Sequence, residues 1–532
     1  MDNSNHLIRI EELGLSIDDS EALLAKKIAT VLGVSEADVI GYQIVKKAID
    51  SRKKSQILFV YSVDVTIKDA RLIKNWGGRY RIRPQVPYNY EIKKALPGDF
   101  RPIIVGSGPA GLFAALSLAT AGLKPLVLER GPDMAARLLA IGKFFKTGEL
   151  DPEANIQFGE GGAGTFSDGK LYTLINDPRS HYVFSQFVAA GAPQDILTSA
   201  TPHIGTDNLQ SVIKNIRQQI ITLGGEFRFQ TKLTGLEIKA GQITAAIVNG
   251  TETILTDTLI LATGHSARDT YQLLYDNKLL LEPKPFAIGV RIEHAREAIN
   301  KAQYGNFWHH PALGAAKYKL VEHVPGERAV YTFCMCPGGS VIAAASEPGG
   351  LATNGMSLYR QDNLNSNSAL LVPVTPSDFE NSSPLAGIDF QRFWERRAYE
   401  AGGSNYQAPA QLVGDFLVGR PSTKLGHVKP TYLPGVKLTS LDSCLPDYVI
   451  SSLKKALPLM DQKIKGFADP EAILTGVETR SSSPVRLVRD ETCQANIKGV
   501  YPCGEGAGYA GGIVSSAIDG LTVAEAIIKN HL

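Results

Sequence analysis

Short apolar runs bounded by Gly, Pro, Asn or Asp recur along the chain, and a few stretches carry helical spacing instead. "HLIRIEELGLS" predicts a strand, and "DDSEALLAKKIATVLG" an amphipathic helix with acidic residues at its start and Gly33 at its end. "DVIGYQIVKKAID" and "SQILFVYSVDVTIK" alternate as two strands around the turn "SRKK". These elements predict a small α/β module over residues 1–97, closed by the linker "KALPGDFRP". The pattern then changes. A short apolar strand, Ile103 to Val105, runs into Gly106-Ser-Gly108-Pro109-Ala110-Gly111, an Ala/Leu-rich helix follows, and the strand "PLVLE" ends at Glu129. Two later segments repeat the strand-then-glycine pattern: "TDTLILATGHSARDT", and "IKGVYPCGEGAGYAGGIVSSAIDGLTVAEAI" near the end, where a helix follows.

The first of these glycine turns is a whole βαβ dinucleotide fingerprint rather than a lone G-x-G-x-x-G. Gly106 permits the tight turn, Gly108 lets the backbone approach a pyrophosphate, and Gly111 lets the helix pack close to the sheet. The helix end at Pro109 and Ala110 faces the phosphates, where its dipole favours negative charge. Glu129 is placed to accept hydrogen bonds from a ribose diol, with Arg130 beside it, and its carboxylate would repel a 2′-phosphate. That selects FAD or NAD over NADP. A second glycine-rich stretch, "FGEGGAGTFSDGK", nearly matches a G-x-x-x-x-G-K-[ST] phosphate loop from Gly164 to Lys170, but Leu171 stands where Mg²⁺ needs a hydroxyl and no strand leads into it. The match is read as coincidental.

A nucleotide fold assembled from three distant segments resembles the flavoproteins of the glutathione reductase class. That resemblance implies FAD, with Ala262, Thr263 and Gly264 at a strand end beside it. It also implies that Glu505, after Gly504, takes the ribitol, that amides at Gly511, Gly512 and Ile513 face the flavin, and that Gly162, Gly164 and Thr165 pass the pyrophosphate and isoalloxazine. More specifically, "FGEGGAGTFSDGKL", "LATGHSARDTY", "KPFAIGVRIEH", "YTFCMCPGGSVIAAASEPGGLATNGMSLYR", "GVETRSSSPVRLVRD" and "YPCGEGAGYAGGIVSSAIDG" resemble the "NAD(FAD)-utilizing dehydrogenase" family of bacteria and plastids. The implied fold class is α/β: a Rossmann-like FAD domain built from residues 98–281 and 485–532, with an α+β cap or substrate domain over 282–484. The family settles cofactor and architecture, not substrate.

Several side chains are candidates for chemistry. "GVRIEH" puts Arg291 and Glu293 on one strand face, where the arginine either binds a substrate carboxylate or pairs structurally. "FCMCPGG" puts Cys334 and Cys336 on one face, a spacing at the edge of disulfide reach, so core residues are favoured over a redox pair. "VETRSSSPVRLVRD" brings Thr479, Arg480, Ser483, Arg486 and Arg489 close to the last FAD segment and suggests an anionic ligand. "ATNGMSLYRQDNLNSNSAL" is rich in Asn and includes Arg360. His265 is weighed as a catalytic base, and Lys170 as a group beside the flavin. No Cys/His spacing predicts a metal.

Composition limits the function classes. A chain of 532 residues with 44% apolar and 20% charged residues and 51 glycines predicts a multidomain, loop-rich globular protein. No apolar run approaches a bilayer span, no export signal opens the chain, and five scattered cysteines make no disulfide framework, so a cytoplasmic setting is expected. Net charge is only +2, yet residues 46–94 hold 13 Lys/Arg against 4 Asp/Glu. Trp76, Tyr80, Tyr88 and Tyr90 lie there beside Arg79, Arg81 and Arg83, as an RNA groove would require. The preferred expectation is that "RYRIRPQVPY" packs on the FAD domain or reaches its cleft. The leading function is an FAD-dependent oxidoreductase of a small or medium organic substrate, an anionic one among the candidates, with NAD(P)H open as a transient electron donor. An RNA-modifying flavoenzyme and a non-catalytic FAD protein stand as alternatives.

Overall fold

A computed structural model describes residues 6–74, 80–96, 101–173 and 175–530. The N-terminal strands His6–Ser16, Val39–Asp50, Leu58–Ile67 and Ile82–Pro84 form one antiparallel sheet. Strand Leu58–Ile67 alternates half-buried and buried positions along its whole length, so one face is apolar. Ile28 and Leu32 of helix Leu23–Leu32 join the same core as that face, and Gly33 ends the helix at φ +68°.

The basic segment behaves differently from expectation. Ile82–Pro84 pairs with Ile8–Ile10 and completes the module's own sheet instead of lying on the neighbouring domain. Arg81 and Arg83 share Glu11, and Arg9, Lys47, Arg52, Lys68 and Arg71 each meet a carboxylate as well. Trp76 and Arg79 lie outside the described residues. Tyr80 packs against the core, Tyr88 is exposed, and Tyr90 leans on Tyr182 while its hydroxyl donates to Glu525 at 2.5 Å. The module is also stitched on at Lys47, whose N–H and C=O bond Thr198 and Ala200.

The second sheet has five parallel strands in the order Val500–Pro502, Leu259–Leu261, Ile103–Val105, Leu126–Leu128, Glu226–Arg228. From Ile103–Val105 the chain winds first to one side and later to the other, so the crevice at the strands' carboxyl ends is a topological switch point. Helix Pro109–Thr120 is apolar on all sides because the C-terminal helix Ile513–Lys529 lies against it. Gly520 lets the two meet: a Cβ there would run into the Ala110 carbonyl. A three-stranded antiparallel sheet spans residues 233–255.

The third large sheet takes all seven strands from residues 321–478 and 286–295. Its order is Val321–Glu322, Val330–Cys336, Asn365–Val374, Phe286–Ala295, Ile473–Glu478, Ala408–Leu412, Val436–Leu438. Phe286–Ala295, near the middle, is covered on both faces, apolar at Ile288, Val290 and Ile292 and charged at Arg291 and Glu293. A short antiparallel pair, Leu281–Pro283 with Val485–Leu487, carries the chain out of the parallel sheet and back. Among the described residues no helix is long and apolar enough to cross a membrane.

Candidate functional site

Three parallel strands end in glycine turns on the same side. Val105 leads to Gly106–Gly108, Leu261 to Ala262–Gly264, and Pro502 to Cys503–Glu505. A cavity of about 660 Å³ opens there and continues to the edge of the seven-stranded sheet. One end is walled by Glu129, Arg130, Thr231 and Leu233; the other holds Lys170, Cys334, Cys336, Asn354 and Glu478. Helices Pro109–Thr120 and Ile513–Lys529 both point their N-termini into it. Their unpaired N–H groups and dipoles favour an anion or an electron-rich carbonyl.

The glycines show why the sequence folds this way. Gly106 has φ +107°, and a Cβ there would strike the Ala262 carbonyl. At Gly111 a Cβ would strike the Gly106 carbonyl, so this glycine faces the sheet and not the cavity. Gly108 differs: a Cβ would meet nothing closer than Gly162 Cα at 3.9 Å. Gly264 and Gly511 likewise face open space. These positions leave a cradle that side chains would fill, and the residues present suit a dinucleotide such as FAD.

Glu129 is 5% exposed and each of its oxygens accepts two hydrogen bonds. Ser107 N–H and Oγ donate to one, at 3.0 and 2.7 Å, and the N–H groups of Gly131 and Gly159 donate to the other, both at 3.0 Å. A carboxylate has about four acceptor sites, so a ribose hydroxyl enters by displacing a donor, and the Ser107 hydroxyl is the one free to rotate. Arg130 is committed elsewhere: it clamps Glu153 and Asp269 at 2.6–3.0 Å and stacks 4.0 Å over Phe158. Glu505 lines the cavity with its carboxyl pushed up to about 7 by burial, partly offset by Lys284.

His265 also lines the cavity, with Nδ1 3.0 Å from Ser266 Oγ and Nε2 4.0 Å from Glu505. Burial, then the charges of Arg480 and Arg268, push it down to about 3. An imidazole so depressed stays neutral and is a weak proton acceptor, which argues against His265 as a general base. Arg480 reaches the wall, but its guanidinium is held by Glu395 at 3.0 Å and by Ser266 and Ser346. Arg268 grips the same Glu395 at 2.8 and 2.9 Å. Glu395, buried between two arginines, lies far below the usual carboxylate range despite its burial.

Four expectations need correction. Arg291 does not reach the cavity. It is fully buried and pairs with Glu478 at 2.6 and 3.0 Å, not with Glu293, whose carboxylate accepts from Asn365 and Thr431. Arg486 is exposed on the short connecting strand and does not line the cavity; its guanidinium lies 5.3 Å from the ring of Tyr509, which does. Thr165 is turned into the protein behind the glycine loop. Gly504 stands behind the wall, its N–H donating to Asp519 at 2.7 Å. Gly162, Gly164, Ala262, Thr263, Gly512 and Ile513 do line the cavity.

Cys334 and Cys336 both face the cavity as free thiols. Their strand is not regular: the register shifts between Phe333 and Cys336, and Cys334 sits at φ +41°. Burial pushes Cys334 up to about 11 and raises Cys336, so both are neutral thiols near neutral pH. Cys336 donates to the Cys334 carbonyl at 3.3 Å, and Lys170 Nζ lies 3.9 Å from its sulfur. The segment before Gly164 is irregular and Ala163–Phe166 is a single 3₁₀ turn, so Lys170 does not sit in a phosphate-loop setting.

Two groups that shape the site escaped the sequence reading. Arg137, fully buried, donates to the carbonyls of Asn155, Ile156, Gly159, Glu160 and Gly162 and so fixes the glycine loop. Glu395 organises Arg268 and Arg480 as described. Each left a signal: Arg137 falls in the buried stripe Met134, Arg137, Ile141, Phe144, and Glu395 in Ile388, Gln391, Glu395, Ala398. A lone charge in an apolar stripe marks a buried, fully bonded group. Among the described residues no cluster of His, Cys, Asp and Glu could hold a metal.

Residues 100–299 match the pyridine nucleotide-disulphide oxidoreductase model, residues 285–481 that of the FAD-dependent protein C-terminal domain, and residues 7–66 a domain of unknown function. An uncharacterized protein of Clostridium beijerinckii (strain ATCC 51743 / NCIMB 8052) is 49% identical over 526 residues, covering 98% of both chains. Solved structures are far more distant. Glycine oxidase from Bacillus cereus ATCC 14579 is 12% identical, with TM-score 0.33 over 82% of this chain and 96% of that one. Flavin-dependent brominase Bmp2 is 10% identical, with TM-score 0.36 over 81% and 79%. Residue roles are not transferable at such distances.

Proposed function

The chain belongs to the FAD-dependent oxidoreductases, in one family with the Clostridium protein, and on that premise we propose a dehydrogenase or reductase of the NAD(FAD)-utilizing kind. Its substrate is an organic molecule held at the end of the cavity under the seven-stranded sheet. The observation that carries this reading is the continuity of one cavity, from the glycine cradle and both helix N-termini to Lys170, Cys334, Cys336 and Asn354. Bound in the cradle, FAD supplies hydride transfer at its N5.

The chain's own residues bind, orient and exclude. The turn Gly106–Gly108 and the first amides of helix Pro109–Thr120 receive the pyrophosphate. Ser107 and Glu129 receive the adenosine ribose, and Glu505 a ribitol hydroxyl. The N-terminus of helix Ile513–Lys529 opens into the cavity and would favour negative charge on a bound flavin by about 0.3–1 kcal/mol, more where water is excluded. Arg268, Glu395 and Arg480 hold the wall rigid, and burial together with the charges of Arg480 and Arg268 keeps His265 neutral.

The basic N-terminal module serves as support rather than as a nucleic-acid grip. Its pairing of arginines with carboxylates and the use of Tyr80 and Tyr90 in packing support this role. Anaerobic mixing of the holoprotein with NADH, NADPH and organic donors, followed by visible absorbance, tests the enzyme reading. Bleaching by a donor and recovery with an acceptor are expected. A flavin that no such donor reduces would support the non-catalytic alternative.

A further inference from the structure

The far end of the cavity presents two side-chain hydrogen-bond donors, Lys170 and Asn354, on its wall. Lys170 Nζ carries three donors, and among the described residues its one hydrogen-bond partner is the Cys336 sulfur at 3.9 Å, a weak acceptor. Among those residues it makes no ion pair with a carboxylate. Nearby Asp168 turns one oxygen to Ser357 and to Gln361, while its other oxygen is buried without a hydrogen-bond partner; its charge acts on Lys170 through space but does not form a direct ion pair with it among the described residues. Both oxygens of Glu478 are held by Arg291. The Cys334 carbonyl accepts from Arg291 at 2.9 Å and from Cys336.

Asn354 adds a second donor. Its Oδ1 accepts from Arg291 at 3.0 Å and from the Gly355 N–H at 2.8 Å. Arginine only donates, so the atom facing it must be the oxygen, and this fixes the amide orientation. Among the described residues the Nδ2 group is then left without a protein acceptor, and Asn354 lines the cavity. The apolar wall at this end comes from Phe333 and Met335. Asp168 offsets part of the cost of burying the Lys170 ammonium, but no carboxylate contacts it directly among the described residues, so a ligand carboxylate in the cavity would give it the ion pair it lacks.

We propose that the substrate carries a carboxylate, received by Lys170 Nζ and Asn354 Nδ2, with its apolar body against Phe333 and Met335. This rests on the reading of the cavity as the substrate end of an FAD site. Lys170 is therefore a specificity-determining residue, and the chemistry it selects is that of an organic monoanion over its neutral amide.

The test uses the FAD-loaded full chain, titrated with benzoate and with benzamide while the visible spectrum of the bound flavin and the heat of binding are followed. Benzoate is expected to bind at least tenfold more tightly than benzamide. Lys170→Met should abolish this preference, Lys170→Arg should retain it in part, and Asn354→Leu should weaken benzoate alone, each with FAD content unchanged. Equal binding of the two probes, unaltered benzoate binding in Lys170→Met, or no carboxylate binding to an FAD-replete protein would overturn the inference while leaving the FAD reading intact. Protein that takes no FAD would instead sink the reading beneath it.

Discussion

Gly108 and Gly111 are three residues apart in one turn, yet the structure assigns them opposite sensitivities. A Cβ on Gly108 projects into the cavity, its nearest neighbour being Gly162 Cα at 3.9 Å, and its φ of −72° suits any residue. Gly108→Ala should therefore cost the apo-protein little. Loss of a glycine at a helix N-cap opposes the gain from a stiffer unfolded chain, and each is about 0.5–1 kcal/mol. The added methyl, and still more the branched side chain of Gly108→Val, takes the space the pyrophosphate needs. Gly111→Ala is another matter, because the Gly106 carbonyl already occupies the position of the new Cβ. Helix and sheet must part, a clash in the range of overpacking costs of about 1–3 kcal/mol or more. Urea unfolding of apo-protein and FAD content after reconstitution separate the two effects. Gly108→Val should keep its unfolding midpoint and lose FAD, while Gly111→Ala should lose both. Stoichiometric FAD in Gly108→Val would refute the assignment of the cradle.

The buried Arg268–Glu395–Arg480 group gives a second expectation: Glu395→Ala leaves two buried guanidinium groups without their shared carboxylate and should cost about 3–5 kcal/mol in urea unfolding. An unchanged midpoint would mean that water already reaches the arginines. Glu505 predicts a pH dependence. Its folded pKa, about 7, is raised above the ordinary 4.5, so the folded state holds a proton that the unfolded state has released. Stability of the apo-protein should fall as pH rises from about 4.5 to 7, and Glu505→Gln should flatten that fall; parallel wild-type and variant profiles would exclude it. Cys334 and Cys336, both neutral thiols in an irregular strand, are expected not to store electrons. Anaerobic dithionite titration should consume about two electrons per flavin, whereas about four, lost in Cys336→Ser, would restore a redox role.

Much of the FAD domain was legible because its glycines answer to backbone geometry that no other residue satisfies. Gly106 needs its positive φ and Gly111 needs the absence of a Cβ, so a local string of residues carries the information. The alternation in Leu58–Ile67 was legible for a similar reason, since one strand face is buried throughout. Side-chain partners across long separations were not. Arg291 pairs with Glu478, 187 residues away, because strand Ile473–Glu478 lies directly beside Phe286–Ala295. Spacing alone could offer only Glu293. Arg486 is near the cofactor segment in sequence, but on its strand the side chain is exposed and stays off the cavity wall. The irregularity at Cys334 leaves no trace in "FCMC", and Arg137 was visible only as one polar residue in an apolar stripe.

The central claim is that this cavity holds FAD and that the chain works through it. The most direct measurement is the flavin released from pure or FAD-reconstituted protein on heat denaturation, identified by chromatography and counted against protein. The account predicts one FAD per chain, no FMN, and a bound flavin that bleaches and recovers with redox reagents. A colourless protein that retains no FAD after reconstitution would contradict it.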